Sequence, residues 1–412
     1  MLPHRAASDQ VRFQNRRFLL SLVRRHGALS RTALADRSGL SSATVSAITS
    51  ELLTEGWLAH ASDSMIAAAA AAPSRGRPQM PLRLNPERVA VQAVYLAVDG
   101  VTVALVDYGG EVREVVSLPA LDPATSADAL LAALLEGLRG QRQRLAAAPP
   151  VDRTAVAVQG VVDRDGKQVL WSPILAPTPI ALGDGLSRRL GMKVLLRNDA
   201  NAMADALDGG NAAQAGGEFA ALFVGYGVGM GVVSDAGVLR RADHSAFEFG
   251  HVNHEPYGAP CRCGGRGCIE AYAADYAIWR AAHDGVDPAS TADPGAAAIA
   301  GLAEAARSGE PRARAAFLAA GRALGFGLGR LFALLAPMPV VLTGTGARNF
   351  DLIRPGLAAG LEAALVPALA GTLDVRVAED SRRLALDGAA LAALRDVDEQ
   401  AATGSASLSE LV

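Results

Sequence analysis

The sequence predicts an α/β protein that carries an N-terminal winged helix-turn-helix and a closed metal-binding loop. Three observations predict it: a basic N-terminal segment with two short helices and a turn before a third helix, a run of apolar strands alternating with alanine-rich helices, and one cluster holding every cysteine of the chain. The charge is uneven. Residues 1–84 carry 11 arginines against 5 acids, a net of +6, which leaves −9 on the rest of a chain whose total is −3. A small basic module on an acidic body is the charge signature of DNA binding, because phosphate contacts dominate affinity.

Asn15 to His26 has helical spacing, with Phe18, Leu19, Leu22 and Val23 on one face and Gly27 as its stop. Ser30 can cap a second helix that starts at Arg31 and buries Leu34 and Ala35, and Gly39 marks the turn. A third helix starts near Ser41 or Ser42. Val45, Ile48, Leu52 and Leu53 share its apolar face, which leaves Ser42, Thr44, Ser46, Ala47, Thr49 and Ser50 outside. Small polar side chains suit a helix that enters the major groove of double-stranded operator DNA. Ser42, Thr44, Ser46 and Thr49, with Arg31, are therefore the expected DNA contacts. Trp57–His60 and Gln79–Leu84 read as the strands of a wing. Arg75 and Arg77 fall near its tip, where arginine is favoured by the negative potential of the minor groove. The module is expected to span residues 1–86.

Beyond Arg88 the texture changes. Val91–Val98 and Thr102–Val106 read as a hairpin, Ala127–Leu145 as a long helix, and Thr154–Val162 and Lys193–Leu196 as strands of a first lobe over 87–205. The pattern restarts near Glu218, with strands at Phe219–Val224 and Gly229–Ser234, helices between Ala271 and Arg330, and a strand from Val340 into the tight turn Thr343-Gly-Thr-Gly346. This second lobe is expected over 206–395, and Asp396–Val412 reads as a disordered tail. At 412 residues the chain exceeds what one core serves, and 50% hydrophobic with 20% charged residues suits globular packing. The most apolar stretch, Leu331–Val341, is cut by Pro337 and Pro339 and is far shorter than the roughly 20 residues of a bilayer span. Three cysteines give no disulfide framework and the start shows no apolar signal core, so a cytoplasmic protein with no membrane partner is expected.

Cys261, Cys263 and Cys268 lie within eight residues, separated by Gly264, Gly265 and Gly267, which let the chain fold tightly enough for the thiols to converge. Three thiolates and one imidazole complete a tetrahedral structural zinc (Zn2+) site with no open position. His251 is the expected fourth ligand, with His254 as its competitor.

The winged helix, Asn198-Asp-Ala-Asn201, Glu248-Phe-Gly-His251 and the cysteine cluster ending in Glu270 occur in that order. Together they resemble the ROK family (repressors, open reading frames, kinases), and its repressor branch in particular. The resemblance implies two lobes of the actin-like, ribonuclease-H-like ATPase fold closing on a sugar. It implies that Gly160, Asn198, Asp199, Glu248, His251 and Glu270 line that site, with His251 on zinc through one ring nitrogen and on the sugar through the other. Kinases of the family open their first lobe with Asp-x-Gly-Gly-Thr, a hairpin that cradles ATP phosphates. The matching stretch here runs from Tyr95 to Thr102 and lacks the leading aspartate and both glycines. Tyr226 fills the second phosphate loop, and Arg240–Phe247 departs from the small residues usual before Glu248. The expected function is a sugar-responsive repressor, dimeric or tetrameric, with no catalytic residue. A sugar kinase with a fused DNA-binding head, or a regulator with a vestigial pocket, is the alternative.

Overall fold

A computed structural model describes residues 4–61, 80–118, 126–145, 147–209, 217–235, 237–239, 246–366 and 374–403. The head comprises α1 (His4–His26), α2 (Arg31–Ser38) and α3 (Ser42–Thr54), followed by β1 (Leu58–His60), which pairs antiparallel with β2 (Leu82–Leu84) as the base of the wing. The Ser30 hydroxyl accepts from the Ala33 N–H, the Ser41 hydroxyl accepts from the Thr44 N–H, and Gly39 ends α2 in the left-handed conformation. Arg75 and Arg77 lie outside the described residues. Two expectations are corrected. Phe18 is 43% exposed and Leu20 is buried instead, because α1 must pack against both the rest of the head and the body of the protein. Thr49 is fully buried: its hydroxyl donates to the Val45 carbonyl at 2.7 Å and accepts from Arg31 Nε at 2.9 Å.

The first lobe is built from β3 (Ala90–Ala97), β4 (Gly100–Asp107), β5 (Val112–Leu118), α4 (Ala127–Arg144), β6 (Val151–Val158), the short pair β7 (Val161–Val162) and β8 (Val169–Trp171), α5 (Leu182–Leu190), β9 (Lys193–Asn198) and α6 (Asp199–Gly209). Its sheet has the order β5-β4-β3-β6-β9, antiparallel on one side of β3 and parallel on the other. The strand expected over Thr154–Val162 is broken at Gly160, whose φ of +132° turns the chain out of the sheet. Side chains alternate along β3: Val94 and Leu96 face α4 and α5, whereas Val91, Ala93 and Tyr95 face the opposite layer.

The second lobe repeats the plan. It contains β10 (Phe219–Val224), β11 (Val228–Ser234), β12 (Gly237–Leu239), α7 (Glu270–Ala273), α8 (Asp275–Ala282), α9 (Ala296–Arg307), α10 (Pro311–Leu335), β13 (Val340–Gly344), α11 (Thr345–Arg348), α12 (Phe350–Ala364) and β14 (Val375–Ala378), with sheet order β12-β11-β10-β13-β14. Among the described residues, α10 is the one helix long and apolar enough to cross a membrane, and half of its most apolar stretch is buried inside the protein. Its glycines explain the burial. A Cβ at Gly321 or Gly325 would meet a backbone carbonyl of α12 at 2.2 Å, so the two helices touch backbone to backbone.

The last helix, α13 (Ser381–Thr403), returns to the first lobe and covers the face of the sheet opposite α4. The tail expected from Asp396 is thus helical through Thr403. Its acids hid an apolar stripe: Val397, Ala401 and Ala402 are buried, while Asp396 pairs with Arg153 and Lys193 and Asp398 pairs with Arg24. Helix α13 also packs on α6, and there a Cβ at Gly388 would lie 1.8 Å from the Ala202 carbonyl oxygen.

Candidate functional site

A cleft opens where the carboxyl end of β9 and the start of α6 face β11 and the loop before α7. Its walls and open mouth together bound about 490 Å³ of space not filled by atoms. Gly160, Asn198, Asp199, Glu248, His251 and Glu270 all line it, so the six residues singled out in the sequence converge. Asn198 caps α6: its Oδ1 accepts from the Asn201 N–H at 3.0 Å, and its Nδ2 donates to the Gly160 carbonyl at 3.0 Å. That leaves one amide hydrogen and one lone pair for a ligand. Glu270 is held by the Val228 N–H at 3.2 Å and by the Cys261 thiol at 3.5 Å. Glu248 lies 3.9 Å from His251 Nε2. Gln159 and Trp171 line the same cleft and were not singled out. The available signal was a polar residue closing an apolar strand, Val156-Ala-Val-Gln159. Trp171 stands edge-on to the His251 ring at 5.7 Å.

Beside the cleft, His251, Cys261, Cys263 and Cys268 bring their ligand atoms within 4.8 Å of one another. His251 Nδ1 is 3.7 Å from Cys261 Sγ, and the sulfurs of Cys263 and Cys268 are 3.8 Å apart. Three soft donors and an imidazole, with Cys261 and Cys268 buried, fit a metal ion. Burial and the neighbouring Cys263 push the Cys268 thiol up to about 11, a preference that a bound dication reverses. His254 stands outside the cluster, its ring against Tyr272 at 5.0 Å and Phe326 at 5.5 Å.

On the head, Ser42, Ala43, Ser46, Ala47 and Ser50 form the exposed face of α3, with Thr44 half-buried at its edge and hydrogen-bonded to Ser41. Thr49 does not belong to that face. Arg31 is held near α3 by Thr49, which uses its Nε and directs the guanidinium. The acids of α3 and its C-cap, Glu51 and Glu55, are tied back to Arg12 and Arg16 of α1.

A winged helix-turn-helix DNA-binding model matches residues 14–59, and the ROK family model matches residues 92–396. The chain belongs to the ROK family. Among relatives of this ROK chain, the DNA-binding transcriptional repressor Mlc of Escherichia coli (strain K12) is 24% identical over 395 residues, 93% of each protein. The glucokinase of Thermotoga maritima is 39% identical over 127 residues, 31% of this chain and 40% of its own length. A solved ROK family transcriptional regulator, a homologue of the E. coli Mlc protein, aligns with a TM-score of 0.76 at 24% identity over 96% of this chain and 97% of its own. A ROK family glucokinase from Streptomyces griseus in complex with glucose and AMPPNP aligns with a TM-score of 0.61 at 24% identity, over 74% of this chain and 99% of its own. The two repeated lobes are the actin-like ATPase fold of ROK proteins, with a winged head added in front.

In this ROK protein the cleft strains one acid. Burial raises the Asp199 carboxyl from 3.8 to about 7, against the pull of the Ala200 N–H and with help from the Glu248 charge. A carboxyl raised in this way favours folding fully below about pH 4 and loses that contribution as the pH rises through 7. Asp199→Asn is therefore expected to match the parent at pH 4 and to exceed it at pH 8 by on the order of 4 kcal/mol. Urea melts at the two pH values measure this, and equal stability at pH 8 would show that the carboxylate is not desolvated. A buried acid raised in this way in a cleft is a candidate functional group.

Proposed function

We propose that this ROK protein is a sugar-responsive transcriptional repressor. It binds double-stranded operator DNA through the exposed serines of α3, Arg31 and the wing arginines, acts in the cytoplasm as a homodimer or homotetramer, and catalyses no reaction. The single observation that carries the reading is one pair of helices joining cleft to head. Asp199 opens α6 in the cleft, Asp208 near its other end lies 3.8 Å from Arg25 of α1, and Arg395 of α13 bonds Asp205 at 2.6 Å. Helix α13 then grips α1 through Asp398, and Ala401 O accepts from Arg16 Nη2 at 2.8 Å. A ligand that moves α6 cannot leave the head where it was, and the size of the response is bounded by the ligand's preference for one arrangement.

Zinc is the metal that best suits His251, Cys261, Cys263 and Cys268, and it would hold the loop that carries His251 and Glu270 into the cleft. The sugar would meet Asn198, Asp199, Glu248, His251 and Glu270, whose fixed acceptors and donors can read hydroxyl stereochemistry. Against phosphoryl transfer stands the hairpin between β3 and β4: Tyr95 is buried there, and Arg382 reaches across to Thr102 Oγ1 at 2.8 Å and Asp99 at 2.6 Å. Names of relatives agree with the regulatory reading, since Mlc is a DNA-binding transcriptional repressor and NagC of E. coli, 24% identical over 389 residues, is a DNA-binding transcriptional dual regulator.

The test pairs operator binding with ligand titration on purified full-length protein. One zinc per chain, weaker operator binding in the presence of one sugar, and no heat with magnesium nucleotide are expected. Sugar-dependent nucleotide hydrolysis would replace the reading with a kinase, and operator binding indifferent to every sugar would reduce it to a regulator without a ligand.

A further inference from the structure

The turn between β10 and β11 sends one side chain out of its own lobe. Gly225, Tyr226 and Gly227 make that turn, which is closed by a bond from the Gly225 N–H to the Gly227 carbonyl at 3.0 Å. It is pinned to α8, whose Asp275 N–H donates to the Gly225 carbonyl at 2.8 Å. The Tyr226 ring leaves this anchorage and packs against the apolar cluster of the first lobe that holds Val94, Val158, Ile174 and Leu175. Its hydroxyl donates to the Pro173 carbonyl at 3.3 Å. Trp171 and Pro173 line the cleft from the first lobe, and Gly227 and Val228 line it from the second, so one tyrosine bridges the two sides. Arg262 backs it. The guanidinium lies 3.8 Å from the centre of the Tyr226 ring and 4.3 Å from that of Tyr276. Its Nη1 donates to the Tyr226 carbonyl, and its Nε donates to the Thr291 carbonyl at 2.9 Å.

From this we infer that Tyr226 is a clasp that holds the two lobes together when nothing is bound, and that Arg262 is the positioning residue that keeps the clasp in place. The inference goes beyond sugar sensing and does not depend on it, because it concerns the ligand-free protein. A tyrosine suits the task. Its ring buries apolar surface against the neighbouring lobe while its phenol satisfies a carbonyl there. Arginine suits the support, since a planar guanidinium can stack on aromatic faces while its in-plane N–H groups donate to carbonyls, a combination that lysine lacks. Lobes that rotate apart must break the bond to Pro173 and draw the ring out of the first-lobe cluster together. The turn cannot stretch to follow, because Asp275 holds Gly225 and a Cβ at Gly227 would already lie 2.9 Å from Glu270 Oε2. The clasp therefore adds its free energy to the closed arrangement alone, and any molecule that enters the cleft acts on an equilibrium already biased by the protein's own side chain. Arg262 stands between Cys261 and Cys263 of the metal-binding cluster, so the loop that gathers the thiols also carries the support of the clasp.

Backbone hydrogen exchange on the full-length, zinc-loaded protein without ligand tests this. The reporter is the first-lobe wall, residues 169–175, and the control is α9, which takes no part in the clasp. Tyr226→Phe removes the bond to Pro173 and keeps the ring, so exchange at the reporter is expected to rise about two- to tenfold. Tyr226→Ala also removes the ring and should exceed that, by at least about tenfold. Arg262→Met is expected to speed the reporter by about two- to thirtyfold in the parent, and to add nothing in the Tyr226→Ala background, because it acts through the ring. Exchange in α9 should stay at the parent rate throughout. Parent rates at the reporter in both Tyr226 variants would overturn the clasp, and so would an equal rise in α9, which would mean a general loss of stability. An Arg262→Met effect of the same size with and without the tyrosine, or no effect at all, would overturn the role of Arg262. None of these outcomes touches the sugar-sensing function, which is tested with ligand present.

Discussion

Gly388→Ala is expected to destabilise the protein by about 3 kcal/mol or more, at the upper end of what one added methyl group costs. The new Cβ would lie 1.8 Å from the Ala202 carbonyl oxygen and 2.4 Å from the carbonyl carbon. Both are backbone atoms in the first turn of α6, so no rotamer change can relieve the overlap and α6 and α13 must separate. Gly301→Ala in α9 supplies the control. Nothing lies within 4 Å of its Cβ position, and alanine there is expected to stabilise by roughly 0.5–1 kcal/mol through helix propensity and unfolded-state entropy. Urea denaturation of both variants decides the matter. If Gly388→Ala behaved like Gly301→Ala, the two helices would not be in backbone contact.

A second large effect is expected where the head meets the body. Arg24 donates from Nε to Asp398 Oδ2 at 2.7 Å and from Nη2 to Oδ1 at 2.8 Å, and the Tyr108 hydroxyl adds a bond to Oδ1 at 2.6 Å. Both charged side chains are more than nine-tenths buried. Tyr108 in turn packs edge-on against Trp57 of the head at 5.4 Å, and the Arg24 guanidinium lies over its ring. Asp398→Ala strands a buried guanidinium, so a loss of about 3–5 kcal/mol is expected. The double variant Arg24→Met, Asp398→Leu should recover most of that loss, because apolar side chains carry no desolvation penalty. Four melts, of the parent, Arg24→Met, Asp398→Leu and the double variant, close a double-mutant cycle and measure the coupling. A double variant as unstable as the sum of the singles would mean that the pair is not one unit.

Local signals made the head readable. Ser30 and Gly39 act within three or four residues of themselves, so the cap and the turn they predict depend on nothing distant. The six cleft residues were legible as a set through motif resemblance, and they line one cleft, Gly160, Asn198 and Asp199 from the first lobe and Glu248, His251 and Glu270 from the second. Thr49 was misread for a physical reason. It lies four residues after Val45 on the buried face, but a hydroxyl counts as polar in any hydropathy pattern, and only the Val45 carbonyl and Arg31 make its burial affordable. The end of α13 was hidden in the same way, since the acids around Val397 look solvent-bound until Arg24, Arg153 and Lys193 arrive from elsewhere in the chain.

Arg24 and Asp398 stand 374 positions apart. At ordinary rates of protein synthesis, roughly 20 to 75 s separate their appearance on the ribosome. Throughout that interval a newly made head has its three helices and its own apolar centre but lacks the carboxylate that fixes Arg24. The body cannot steer DNA binding until nearly the whole chain has been made. On the proposed function, a nascent head is a DNA-binding module without its control, and α13 is the part that would bring it under regulation.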